Sequence, residues 1–125
     1  MVNDAIRRAL ARGHTIDITT TGRRSGQPRR KEIAFHTIDG RLYISGIPRP
    51  SKRDWLRNLE ADPRLTFHLK GDVQADLPAT ARVITDQAER RAILPHIARA
   101  WGRDDLEDMV RDSPLIEVTL DGLAP

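Results

Sequence analysis

Short apolar segments with a two-residue period recur along this chain of 125 residues, and they constrain its fold more than any other feature. Ile16 and Ile18 alternate with polar neighbours, and so do Leu65 and Phe67. This alternation is typical of strands that bury one face. Turn residues separate the segments, and Asp39-Gly40 is a strong hairpin signal. Neighbouring strands joined by such turns pair antiparallel rather than through helical crossovers.

The pattern predicts six strands, over 15–21, 29–38, 41–46, 64–71, 72–85 and 114–122. Helical periodicity marks the segments 4–12, 54–61, 87–101 and 106–112. We therefore expect an α+β fold, a small barrel of about six mostly antiparallel strands with two or three flanking helices. A chain of this length with 38% hydrophobic residues suits one domain, residues 1–125, that buries about two-thirds of its surface.

Three positions in the sequence allow more specific structural predictions. Pro78 lies inside a predicted strand, which indicates an edge strand or a bulge because proline cannot donate to the sheet. Pro95 lies inside a predicted helix, which indicates a kink or a break. Asp86, with Glu89 three positions later, resembles a capping box and predicts the start of that helix.

Composition narrows the functional classes. The chain has no cysteine, which excludes disulfides, thiolate metal sites and cysteine nucleophiles and fits a reducing compartment. The first thirteen residues have arginines among the apolar side chains, unlike a secretory signal, and no segment approaches a membrane span. We expect a cytoplasmic protein.

Positive charge is concentrated early in the chain. Residues 1–53 hold 12 basic and 4 acidic side chains. Within them, five cations occur in nine positions: Arg23, Arg24, Arg29, Arg30 and Lys31. They surround a Ser-Gly-Gln-Pro turn, so they lie on a loop between two strands. Exposed backbone N–H groups, the Ser25 hydroxyl and planar guanidinium groups together suit a phosphate-bearing ligand.

Other interpretations of this loop remain open. A solvated basic turn has the same composition, and loop arginines also suit a nucleic-acid backbone. The chain has only five aromatic residues, however, and Trp55 and Phe67 fall on predicted core faces. Few rings are left to stack on bases, so we expect no nucleic-acid partner. The four histidines lie far apart with no metal-ligand spacing, so no metal site is predicted.

The irregular segment GIPRPSKRD, residues 46–54, leads into Trp55. Packing in the core is the default role for this tryptophan at the start of a helix. The segment's cations, among them Lys52, and its irregular backbone also suit a loop that wraps a planar ligand.

Two ordered motifs carry a resemblance that covers residues 19–71. The first comprises Thr20, Thr21, Gly22, Arg23, Arg24, Ser25, Gly26 and Arg29, and the second Trp55, Asn58, Leu59, Asp62 and Pro63. With these motifs the chain resembles the deazaflavin (coenzyme F420)-dependent nitroreductase family, a branch of the flavin-reductase-like split β-barrel superfamily.

The resemblance implies that the basic loop holds the phosphate and glutamyl tail of a deazaflavin, while the ring lies between barrel and loop. The cofactor-binding residues would be Thr21, Gly22, Arg23, Arg24, Ser25, Gly26 and Arg29, with Lys52 and Trp55. FMN is the alternative cofactor, and related split barrels also bind haem. The tail is polyanionic, so its affinity should fall with salt.

The function implied is hydride transfer from the reduced deazaflavin to a small electron-poor acceptor: a quinone, a nitro compound or an activated alkene. No catalytic residue is assigned, because Tyr43, His36 or solvent could each supply a proton. A cofactor carrier without turnover and a binding barrel without a cofactor are the alternatives. A homodimer is expected, since small barrels leave apolar faces and strand edges to cover.

Overall fold

The computed structural model describes residues 4–121, which fold around a closed barrel of antiparallel strands. The strands are β1 (Thr15–Thr21), β2 (Pro28–Ile38), β3 (Arg41–Ser45), β4 (Arg64–Leu69), β5 (Ala75–Val83) and β6 (Leu115–Leu120). Around the barrel the order is β1-β2-β3-β6-β5-β4, so β1 pairs with both β2 and β4. The predicted α+β barrel is confirmed. Gly122, in the last predicted strand, lies outside the described residues, as do the ends of the predicted single domain, 1–3 and 123–125.

Residues 4–121 also form four helices, where two or three were expected. They are α1 (Asp4–Arg12), α2 (Asp54–Ala61), α3 (Gln87–Ala100) and α4 (Leu106–Asp112). The segments α3 and α4 are separate helices because Gly102, with φ +65°, turns the chain between them. No helix within the described range is long and apolar enough to cross a membrane.

Pro78 marks neither an edge nor a bulge. It pairs with Thr66 in an uninterrupted register between β4 and β5, and β5 lies inside the closed sheet. The Pro78 carbonyl accepts a hydrogen bond of 2.8 Å from the Asp121 N–H, just beyond the end of β6. In an antiparallel strand the N and O atoms of one residue point toward the same neighbouring strand. An N–H at position 78 would therefore also point toward the chain that follows Leu120, outside the paired residues of β6. The barrel therefore loses no ladder bond there.

Helix α3 runs through Pro95 without a break. Its buried side chains on both sides of the proline, Leu94 and Ile97, pack into a cluster beneath α3 and α4, and this packing outweighs the local cost of proline. The predicted start is confirmed, because the Asp86 carboxylate accepts a 2.9 Å hydrogen bond from the Glu89 N–H.

The apolar interior has two parts. The barrel cluster includes Ile18, Phe35 and Phe67, with the two phenylalanine rings edge to face at 5.1 Å between centroids. The apolar faces of α1 and α2 join this cluster. The second cluster lies between the barrel exterior and the pair α3–α4. As a result, α2 is held against the barrel beside the loop that follows β1.

A buried cation connects α3 to its neighbours. Arg90 is 7% exposed, and its guanidinium donates to the carbonyls of Ile84, Met109, Val110 and Ser113 at 2.5–3.1 Å. Burial lowers the pKa of Arg90. One side chain thus joins the end of β5, α3 and the C-terminal end of α4.

Replacing Arg90 with Met should therefore be costly, because buried carbonyls would lose their donors at about 1–3 kcal/mol each. The matched control is Arg91→Met, since Arg91 is exposed and its pair with Glu107 is worth about 0–1 kcal/mol. Urea unfolding should show a loss for Arg90→Met that is several times that of the control. Equal losses of stability in the two variants would contradict the role of Arg90 in joining β5, α3 and α4.

His36 predicts a pH dependence of stability. Its ring packs edge to face on Trp101 at 5.0 Å, and burial lowers its pKa below the ordinary value of 6.5. The unfolded chain then takes up a proton at a higher pH than the folded chain, so the contribution of His36 is lost as the pH falls through that value. The unfolding free energies at pH 8 and pH 5 should therefore differ by less in His36→Phe and His36→Gln than in the wild type. A wild-type slope in both variants would refute this.

Candidate functional site

The loop between β1 and β2 has a defined shape. The Gly22 N–H donates to the Gln27 carbonyl and the Gly26 N–H to the Gly22 carbonyl, both at 2.8 Å. Gly26 has φ +70°, a conformation that disfavours any side chain. A Cβ at Gly22 would lie 2.6 Å from the Ser25 Oγ, so the Ser25 hydroxyl would have to move. We call residues 22–29 the basic loop.

Asn58 of α2 fastens the basic loop to the barrel. It is 3% exposed, and its Oδ1 accepts hydrogen bonds from the Arg23 backbone N–H at 3.2 Å and from Arg23 Nη1 at 3.1 Å. Its Nδ2 donates to the Thr20 Oγ1 at 3.1 Å. Asp54, with its side chain 89% exposed, also lies 3.4 Å from Arg23 Nη2. Arg23 is therefore engaged in holding the loop.

The other cations of this region have different partners. Arg30 pairs with Asp17 at 2.9 Å. The Arg29 guanidinium donates to the Ser25 Oγ at 3.3 Å. Within residues 4–121, neither Arg24, Arg29 nor Lys31 forms an ion pair with a carboxylate, and all three are exposed. Three positive charges thus stand together without an internal counter-charge.

A cleft of about 440 Å³ lies between the basic loop, the start of β2 and α2, and we call it the basic cleft. Six of the nine predicted cofactor-binding residues line it: Gly22, Arg23, Arg24, Ser25, Arg29 and Trp55. Thr21 and Gly26 belong to the strand end and the turn that shape the loop, without lining the cleft.

Trp55 lines the basic cleft and has an indole donor without a partner. The side chain packs in the barrel cluster at 5% exposure, which confirms its predicted role as a core anchor. Its Nε1 is buried and has no acceptor within the described residues. A buried indole N–H normally has a partner. This donor and the uncompensated cations fit a flat ligand with polar edges and an anionic tail.

Lys52 does not line the basic cleft. Its Nζ pairs with Glu60 at 2.8 Å, and it lines a second cleft of about 290 Å³. That cleft lies between residues 49–53, the end of β5 and the chain around α4, and we call it the loop cleft. Arg53 and Trp55, two residues apart, border the loop cleft and the basic cleft respectively.

The two candidate proton donors lie elsewhere. Tyr43 is 5% exposed in the cluster beneath α3 and α4, and its pKa is raised by burial and by the charge of Glu117. His36 lies on β2 in a separate cleft that contains Trp101. Neither residue lines the basic cleft or the loop cleft, so no side chain is assigned as a catalytic acid.

His68 bridges a hydroxyl and a carboxylate, as in hydrolase triads. Its Nε2 lies 2.7 Å from the Thr19 Oγ1, and its Nδ1 lies 2.7 Å from the Asp76 Oδ1. Thr19, however, lies in a strand that is paired on both sides, so its neighbourhood offers no free backbone N–H for an oxyanion. The bridge joins three strands, and nothing about it supports hydrolysis.

Several residues of the two clefts were not singled out as binding residues from the sequence. The basic cleft includes Asn58 and Lys31, and the loop cleft includes Arg49, Arg90 and Ser113. Asn58 carried a signal, because it is a polar residue on the face of α2 that also bears Trp55 and Leu59. The loop-cleft residues come from distant segments, which only folding brings together.

Comparison with known structures places the fold. A conserved hypothetical protein of Mycobacterium tuberculosis aligns with a TM-score of 0.72 at 21% identity, over 97% of this chain and 81% of that one. A protein described as an F420 reductase aligns with a TM-score of 0.73 at 16% identity, over 97% of both chains. A haem-storage protein from Vibrio cholerae aligns with a TM-score of 0.70 at 14% identity, over 95% of this chain and 89% of that one.

The sequence comparison is more specific than these structural likenesses, which at such identities show the fold alone. The sequence model of one family matches residues 2–119, nearly the whole chain, and includes the basic loop, α2 and both clefts. The chain therefore belongs to the F420H(2)-dependent quinone reductase family.

Proposed function

We propose that this protein transfers a hydride from a reduced deazaflavin coenzyme to a small electron-poor acceptor: a quinone, a nitro compound or an activated alkene. The observation that carries the proposal is the group of three cations that line the basic cleft without an internal counter-charge, in a chain of this family. A polyanionic tail would supply the missing negative charge.

In this proposal some residues of the basic loop bind the coenzyme tail and others hold the loop in shape. Arg24 and Arg29 contact the phosphate and carboxylate groups of the tail, and Ser25 adds a hydroxyl donor. Gly22 and Gly26 set the turn that follows Thr21. Arg23 keeps its bonds to Asn58, and a tail oxygen competes with the highly exposed Asp54 for the remaining guanidinium edge.

The ring would lie between the barrel and the segment 46–53, next to Trp55. The unpartnered Trp55 Nε1 is available to an acceptor on the ring edge. When bound, the coenzyme supplies the hydride. The chain's part is to orient the ring toward the acceptor, because proximity and alignment account for much of the rate. The proton comes from solvent.

The second candidate function is a carrier that binds a deazaflavin, FMN or haem without turnover. The uncompensated cations and the unpartnered Trp55 donor account for binding and not for turnover, so they fit a carrier as well. Mixing the protein with reduced deazaflavin and menadione discriminates the two functions: an enzyme oxidises the coenzyme faster when the quinone is present, and a carrier does not. The homodimer and the cytoplasmic location stay predictions.

Coenzyme affinity should depend on the uncompensated cations. Arg24→Gln and Arg29→Gln should each weaken binding of coenzyme F420 by about 1.5–3 kcal/mol, the usual value of a charge-assisted hydrogen bond. The salt dependence of the dissociation constant should also decrease. Calorimetric titration measures both effects. Arg57→Gln, an exposed cation of α2 away from the basic cleft, is the control. An unchanged dissociation constant in both loop variants would refute the assignment.

Asn58 should act on coenzyme binding through the shape of the loop. Asn58→Leu removes the acceptor for Arg23 and the donor for Thr20, so amide exchange across residues 22–26 should accelerate and coenzyme affinity should fall. Thr20→Val removes only one of these bonds and should have a smaller effect on both measurements. If Asn58→Leu left the exchange rates of the basic loop unchanged, this role would be wrong.

A further inference from the structure

The loop cleft has an unusual charge balance. Five cations line it against two carboxylates: Arg49, Lys52, Arg53, Arg90 and Arg111, with Glu60 and Asp112. The other lining residues are all uncharged. The cleft should therefore attract anions, with the attraction concentrated by its low-dielectric walls.

The two carboxylates neutralise two of the cations. Lys52 pairs with Glu60 at 2.8 Å, and Arg111 pairs with Asp112 at 2.9 Å. The remaining cations, Arg49, Arg53 and Arg90, form no ion pair with any carboxylate in residues 4–121. Because the charge of Asp112 also acts on Arg90, the excess positive charge of the cleft belongs mainly to Arg49 and Arg53.

Arg49 and Arg53 are the accessible part of this excess. Arg53 is half-buried and donates one bond of 2.6 Å to the Ile47 carbonyl. Its pKa is lowered by burial and by the neighbouring charge of Arg49, so the two guanidinium groups repel each other. Arg49 is exposed and has no hydrogen-bond partner among the described residues. An anion between them would remove the repulsion.

Ser113 provides an independent observation in the same cleft. The residue is 3% exposed, and its Oγ is buried with no hydrogen-bond partner in the described part of the chain. Its carbonyl is held by Arg90, which fixes the backbone at this point. Buried hydroxyls without partners are rare, and the residue that carries this one is among those that line the loop cleft.

We propose that the loop cleft selects an acceptor that carries an ionised oxyanion group, a carboxylate, sulfonate or phosphate, with Arg49 and Arg53 as its charge partners and Ser113 as a hydroxyl partner. This inference rests on the proposed function, because it makes the ligand of this cleft the hydride acceptor. An acceptor with no charge would leave the two arginines uncompensated. A quinone of this class takes a hydride from the coenzyme and one proton from water to become the hydroquinone.

The test compares two acceptors that differ in one charged group, 1,2-naphthoquinone-4-sulfonate and 1,2-naphthoquinone, with reduced F420 as the donor. The two quinones also differ in potential, so the informative quantity is the change in their kcat/KM ratio on mutation. Arg49→Gln should lower the preference for the sulfonate about tenfold, the effect of losing one charge-assisted bond. Arg57→Gln should keep the wild-type ratio. A wild-type ratio in Arg49→Gln would overturn the inference.

A binding measurement separates this inference from the proposed function. Naphthalene-2-sulfonate, which cannot be reduced by hydride, is titrated into the coenzyme-free protein. Its affinity should fall about tenfold in Arg49→Gln and stay at the wild-type value in Arg29→Gln. If that pattern appears but no quinone is reduced, the anion site stands and the proposed function fails.

Two other outcomes contradict the inference and leave the reductase function intact. If Arg29→Gln abolishes sulfonate binding and Arg49→Gln does not, the anion lies in the basic cleft. If Arg49→Gln weakens F420 binding about tenfold, the arginines of the loop cleft serve the coenzyme tail rather than the acceptor.

Discussion

Strand β1 is hydrogen-bonded on both sides, to β2 and to β4, and this closure of the sheet determines where the remaining parts of the molecule lie. Because β1 has no free edge, its C-terminal end is a fixed point from which the basic loop begins. Helix α2 packs on the same region and places Asn58 against Thr20 and Arg23. The site is thus built where a rigid strand end, a shaped loop and a helix meet.

Electrostatics divides similar side chains into different roles. Arg30 is neutralised by Asp17 on the barrel exterior, and Arg90 is satisfied by backbone carbonyls beneath α4. Other cations that line the two clefts, Arg24, Arg29, Lys31, Arg49 and Arg53, pair with no carboxylate of the described residues, and repulsion between neighbouring ones opposes the folded loops. Packing elsewhere in the protein offsets this repulsion and allows the loops to fold. A polyanionic ligand would turn the repulsion into attraction. This division of the arginines supports anion binding more strongly than their number does.

Much of the architecture could be predicted from local patterns. Alternating segments such as Ile16–Ile18 specified the strands because one face of a barrel strand must be buried. Asp86 specified the start of α3 because its carboxylate satisfies an otherwise unpaired N–H. The prolines could not be interpreted in the same way. The effect of Pro78 depends on where β6 ends, and the effect of Pro95 depends on the packing of Leu94 and Ile97, and both are tertiary facts.

By itself the sequence determined the barrel, the basic loop and six of the residues that line the basic cleft, because each depends on neighbours within a few positions. Only the tertiary structure decided which cations remain without a counter-charge, since ion pairs such as Lys52–Glu60 and Arg30–Asp17 depend on side-chain positions after folding. It likewise assembled the loop cleft from residues near 50, 85 and 113. The positions of the charged residues can be read from the sequence, whereas the ion pairs that neutralise them form only when distant segments pack together.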